Sequence, residues 1–274
     1  MFERLVFPAV VLAAWPVVAP AEGTDAAALF EALRLPEMME IMRDEGLEYG
    51  EEIGVNLFGG IPPTDWMLAV DKIYDAGRME EQVMAALQEA AADVDLEPIV
   101  TFFTTAPGAT FIDLEVAARR ALLDDDVEQM AKEAAAVAMA DGSPLVEQVR
   151  RFVGANDYVE SNVVAAMNSS YAFYLGLMDG GGFPAQMTEQ DILADVWAQE
   201  AMIRANTEEW IYSFLLMAYG PVPPGDLETY IAFSESPEGR AANRIVFSAF
   251  DGVFEDMSLA LGRVAARFMA TQEL

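Results

Sequence analysis

Between Val246 and Phe268 the apolar residues Val246, Phe250, Val253, Met257, Leu261, Val264 and Phe268 follow one another at steps of 4, 3, 4, 4, 3 and 4. That spacing draws one stripe along an α-helix. A strand would need apolar residues at every second position instead. Asn243, Arg244, Asp251, Glu255, Arg263 and Arg267 fall mostly elsewhere around the same helix. Helical spacing runs through the rest of the chain, and no segment shows sustained alternation closed by hairpin turns. The pattern predicts an all-α helical bundle.

Caps and breakers divide the chain into about a dozen helices. Asp25 is placed to cap a first short helix, and Pro36 opens the next. Gly59-Gly60 and Pro62-Pro63 close that segment, and Thr64 caps another. Asp95 is placed to cap a helix that tolerates Pro98 in its first turn. After the corner Ala106-Pro107-Gly108 a long Ala-rich helix is expected to run to Asp141-Gly142, with Ser143-Pro144 restarting the chain. Gly180-Gly181-Gly182 with Pro184 reads as a loop, and Thr188 with Asp191 as a capping box. Thr207, Asp226 and Ser236-Pro237 are further cap candidates.

Two phrases nearly coincide: DLEPIVTFF at 95–103 and DLETYIAFS at 226–234, offset by 131 residues. The same offset lays Trp66 on Trp197, Asp95 on Asp226, Phe102 on Phe233 and Gly108 on Gly239. Val83, Val116 and Leu123 fall on Phe214, Phe247 and Phe254. This points to two similar helical units, 22–142 and 143–274. In each, a short helix carries a Phe inward and a tight corner launches a long helix. The corner glycine lets a neighbour approach closely. Each unit alone would expose an apolar stripe, so the two are expected to cover each other.

The stretch DLETYIAFSESPEGRAANRIVFSAFDGVFEDM carries a resemblance. Through Leu227, Tyr230, Phe233, Ser236-Pro237, Gly239 and the apolar stripe that follows, residues 190–268 resemble the bacterial domain of unknown function 2059. The resemblance implies an all-helical fold and an exported protein. It implies no reaction, cofactor or catalytic residue. The first unit departs from the motif, with Ala106 where Pro237 would fall and the proline displaced to Pro107.

The chain begins MFERLVFPAVVLAAWPVVAPAEG. Arg4 and the terminal amine precede an apolar run from Leu5 to Val18, interrupted by Pro8 and Pro16. Ala19-Pro20-Ala21 then supplies small residues where a signal peptidase reads. The expectation is a signal peptide over 1–21, cleaved after Ala21, and a periplasmic or secreted product. The later apolar stretch WIYSFLLMAYGPV is too short to span a bilayer and suits a buried helix.

Composition narrows the chemistry. Among 274 residues there is no Cys and no His, which excludes disulfides, thiolate sites, cysteine nucleophiles and histidine general bases. With 46 acidic and 15 basic side chains the net charge is −31, so nucleic acid is not an expected partner.

Asp124-Asp125-Asp126 is the densest acid run. Consecutive helical residues diverge by about 100° and cannot cage an ion, so a solvated helix face is expected. Glu51, Glu52, Asp65 and Asp71 are candidates for paired carboxylates of a glycan hydrolase. Gly180-Gly181-Gly182 lacks the Lys-Ser/Thr of a phosphate loop. Arg240 and Arg244 are expected to pair with Glu235 and Glu238. Trp66, Trp197, Trp210 and Phe233 are the candidate lining of an apolar ligand site, although residues at helical spacing are more often plain core. Asp95, Phe102, Gly108, Asp226, Ser236, Pro237 and Gly239 form the structural motif. No cofactor, metal or catalytic residue is expected. The reading that fits best is a non-enzymatic, exported binding or scaffold protein. Its partner would be an envelope protein or a small apolar ligand; the alternative is a carboxylate hydrolase.

Overall fold

The computed structural model describes residues 25–183 and 187–272, so the expected signal peptide and Pro184 lie outside the described residues. Among the described residues there are thirteen helices and no strand. Most of the expected boundaries hold. The Asp25 carboxylate accepts the Ala28 N–H at 3.0 Å and starts α1 (Ala26–Ala32). Pro36 lies in the first turn of α2 (Leu35–Phe58), and Gly59 closes that helix in the left-handed region, with φ 67°. Ser143 caps α8 (Pro144–Ala155), and Thr188 with Asp191 forms a reciprocal capping box on α10 (Glu189–Ala198).

Four boundaries differ. Thr64 is the first residue of α3 (Thr64–Ile73), which has no side-chain cap. The single Ala-rich helix expected after Gly108 is two, α6 (Gly108–Ala121) and α7 (Asp125–Asp141). The Asp124 carboxylate accepts the N–H groups of Asp126 and Val127 and so begins a new helix, with Asp125, Asp126 and Glu128 in its first turn near the positive helix end. The acid run is therefore a helix start rather than a helix face. Thr207 lies inside α11 (Glu200–Tyr219), and Asp226 inside the first turn of α12 (Pro224–Ser234), which Pro223 and Pro224 launch earlier. Asp95 does accept the Glu97 N–H at 3.1 Å, at the start of α5 (Glu97–Thr104).

The final helix, α13 (Pro237–Gln272), has 36 residues and spans about 54 Å. It is the spine of the bundle. It packs chiefly against α4 (Ala76–Ala90) and α9 (Tyr158–Asp179). The α9–α13 crossing is close because both helices place glycine there. A Cβ on Gly176 would lie 2.2 Å from the Leu259 carbonyl oxygen, and one on Gly262 would lie 2.0 Å from that of Phe173. At the opposite end of α13, Ser236 Oγ accepts the Gly239 N–H at 3.0 Å. Core residues come from both sides of Gly142 and form one contiguous interior.

The two corners repeat one arrangement. A Cβ on Gly108 would meet the Phe102 carbonyl oxygen at 2.1 Å, and one on Gly239 the Phe233 carbonyl oxygen at 2.0 Å. Displacing the proline to Pro107 leaves this contact intact. Gly239→Ala is expected to cost about 1–3 kcal/mol, since backbone must shift to admit the methyl group. Urea denaturation measures this, and an unchanged midpoint would refute the close approach.

Arg240 donates to the backbone carbonyl of Glu235, not to a nearby carboxylate as expected. Among the described residues no helix is long and apolar enough to cross a membrane.

Candidate functional site

Where the end of α1, the start of α2, and α5, α6, α9, α11, α12 and α13 converge, the packing leaves a cavity of about 290 Å³. It opens to solvent on one side and is walled mostly by apolar atoms. Leu33, Leu35, Met38 and Met42 come from the first two helices, and Trp210, Phe214 and Leu215 from α11. Phe233 and Tyr230 come from α12, and Val246, Phe247, Phe250 and Phe254 from α13. Trp210 and Phe214 stack with ring centres 5.2 Å apart. Phe233 stacks face to face on Phe102 at 3.8 Å, with the rings only 2° from parallel.

Polar groups in this wall are few. Glu115 stands on the apolar face of α6, one turn beyond Phe111 and Ile112. The Tyr219 hydroxyl donates to its carboxylate at 2.6 Å, and the Tyr230 hydroxyl is turned to it as well. Removal from water outweighs these two bonds and pushes the carboxyl up to about 7. Burial likewise holds the phenols of Tyr158, Tyr219 and Tyr230 well above their ordinary value, so they remain donors. Asp251 on α13 is also raised by burial.

The Arg119 guanidinium is the cation of the wall, and it is already engaged. It forms a fork to Glu45 of α2 at 2.9 and 2.7 Å and lies over Trp210, 5.4 Å from the ring centre. Asn156 donates to the Phe152 carbonyl, Asn162 to that of Tyr158, and Asn243 to that of Asn156. The only non-glycine residues in the left-handed region among those described are Arg34 and Asp157, with φ of 50° and 52°. Each sits between two lining residues: Arg34 between Leu33 and Leu35, Asp157 between Asn156 and Tyr158. Such backbone is uncommon outside glycine, and here it turns the chain at the cavity edge.

Of the four residues expected to line a ligand site, the structure brings Trp210 and Phe233 to the cavity. Phe233 is half-buried rather than fully enclosed. Trp66 is elsewhere, fully buried between α2, α3 and the far end of α13. Trp197 is 62% exposed on α10 and does not line the cavity. The two tryptophans thus occupy unlike surroundings, and that part of the correspondence fails. The structural motif divides similarly. Phe102, Gly108, Ser236, Pro237 and Gly239 build the two corners, Asp95 accepts a helix-start N–H, and Asp226 is exposed without capping.

Glu51, Glu52 and Asp65 are exposed, and Asp71 pairs with Arg43, so these carboxylates form no desolvated pair. Among the described residues no group of three or more His, Cys, Asp or Glu is placed to hold a metal ion. Glu115 and Tyr219 were not singled out by sequence, and Tyr230 and Asp251 were noted there only as a resemblance position and a polar position of the last helix, not as site residues. The available signal was Glu115 itself, a carboxylate on an otherwise apolar helical face.

Comparison of the chain with family models, with curated proteins and with solved structures found no match.

Proposed function

We propose that this protein is a non-enzymatic binding protein that holds a small apolar ligand in the cavity between α6, α11, α12 and α13. The observation that carries this reading is a concave site of about 290 Å³ whose walls are aromatic and aliphatic, with a few oriented polar groups. Ligand sites have this makeup, and the volume matches the small end of their range. Methionines in the wall, Met38 and Met42, suit ligands of varied shape.

Export to the cell envelope fits the start of the sequence and the resemblance of residues 190–268 to the domain of unknown function 2059. Descent from two fused copies of one helical unit is supported by the matched corner glycines and by the stacking of Phe102 on Phe233. On that reading the cavity lies at the junction of the copies.

A carboxylate hydrolase has one supporting observation: Glu115, with its carboxyl near 7, has the protonation a general acid needs. The groups acting on it are tyrosines, however, with no second carboxylate among them. A wall of Phe and Trp also offers little to a glycan. Binding is the better reading.

The test is saturable binding of a neutral hydrophobic dye, Nile red, followed by fluorescence. One equivalent is expected to bind, and Ala165→Phe, which adds bulk at the α9 wall, is expected to weaken binding about tenfold or more. Circular dichroism checks that the variant folds. Absent binding, or binding indifferent to a folded Ala165→Phe, would refute the site.

A further inference from the structure

The charges in the cavity wall do not balance. Its cation, Arg119, is held in a two-bond fork by Glu45 and covers the face of Trp210. Its anions, Glu115 and Asp251, have no ion-pair partner among the described residues. The groups around Glu115 are Tyr219 of α11, Tyr230 of α12 and Tyr158 of α9, with Arg119 one turn along α6 already neutralised. Asp251 of α13 joins the same lining. Tyrosine hydroxyls stabilise a carboxylate by donation but bring no charge.

An anionic ligand would therefore meet two carboxyl groups and a guanidinium whose fork is taken. A neutral ligand would leave the carboxyl groups as they are. A cation would gain from a carboxylate of the wall, and from the negative faces of the rings that Arg119 does not cover, as organic cations do in aromatic cages. The chain's net charge of −31 also concentrates cations around it.

We infer that the ligand of this cavity is a small apolar molecule bearing one organic cation, an amine or quaternary ammonium, held among the lining rings of α12 and α13 with Glu115 as its main counter-charge and Asp251 as a second anion of the same wall. The inference rests on the apolar-ligand reading and adds the charge of the ligand to it.

Protonation sharpens it. In the free protein the Glu115 carboxyl titrates at about 7, so below that pH an incoming cation must first displace a proton. Affinity for a quaternary ammonium, which does not itself titrate, rises from pH 6 to pH 8 and levels off above.

The experiment is calorimetric titration of the full chain with benzyltrimethylammonium, its neutral isostere neopentylbenzene, and phenylacetate, at pH 6 and pH 8. The cation is expected to bind at least about tenfold more tightly than the isostere at pH 8. Phenylacetate should bind more weakly than either. Glu115→Gln removes the pH dependence and most of the preference, and Asp251→Asn, at the wall, lowers the preference in part. Equal or tighter binding of the isostere or of phenylacetate overturns the cation inference and leaves the apolar site standing. Failure of all three to bind overturns both.

Discussion

Trp66→Ala is expected to destabilise the protein by about 3–5 kcal/mol, while Trp197→Ala changes stability by less than about 0.5 kcal/mol. Trp66 has no exposed surface, and its indole N–H donates to the Gly50 carbonyl at 2.8 Å. Phe58 and Phe268 meet its ring edge-on, with centres 5.9 and 5.7 Å away, and meet each other at 5.7 Å. This triangle joins α2, α3 and the last turns of α13. Truncation opens a void where three helices meet, and none of them can close it without giving up its other contacts. Trp197 is 62% exposed and leaves nothing behind when cut back. Urea denaturation of both variants measures the difference. A loss under 1 kcal/mol for Trp66→Ala, or equal losses for the two, would mean that the junction does not depend on the indole.

These two tryptophans show where sequence reading succeeds and where it stops. Apolar spacing established the helices, because a buried stripe must recur every three or four residues whatever the surroundings. It also decides the tryptophans when followed closely. Trp66, Val70 and Ile73 form one face of α3, and all three are buried. On α10 the buried face is Ile192 and Val196, and Trp197 falls about 100° further round. Matching residue identity across the offset of 131 ignored that phase. Caps were legible where a side chain had a free N–H to accept, as at Asp25, Ser143, Thr188 and Ser236. They were misread at Thr207, because threonine is tolerated within helices and only the start of α11 at Glu200 excludes a boundary there.

The site was less legible. A cavity is made by elements distant in sequence, and no local pattern encodes where they converge. One trace of it was present. At three paired positions where the first unit has Val83, Val116 and Leu123, the second has Phe214, Phe247 and Phe254. All three phenylalanines line the cavity, and none of their counterparts does. Larger rings at matched positions build a wall in one half that the other half lacks. Glu115 was the second trace, a charge on the face that carries Phe111 and Ile112. Its significance needed Tyr219, 104 residues away, to be seen.

Glu115→Gln is expected to change how stability depends on pH. An isolated glutamate titrates near 4.5, and Glu115 in the folded protein near 7. Between those values the folded protein keeps a proton that the unfolded chain has released. Stability from this group is therefore greatest at or below about pH 4.5, declines as pH climbs, and is flat above about 7. The full excursion is about 3 kcal/mol. Glutamine cannot titrate, so the variant lacks this decline. At pH 5 the two proteins should differ little; by pH 8 the variant should be more stable by up to about 3 kcal/mol, less whatever the amide loses in bonding Tyr219 and Tyr230. Glu37, Asp191 and Glu228, which are held low by their partners, act in the opposite sense, and Glu48 and Asp251 in the same sense. All five are common to both proteins and cancel in the difference, as does repulsion among the remaining acids. Tyr219→Phe removes a donor that favours the carboxylate, so it should raise the titration point and deepen the decline. Parallel urea midpoints from pH 5 to 8 for the wild type and Glu115→Gln would mean that water reaches this carboxyl freely. The cavity would then lack the dry wall on which the preference for a cation depends.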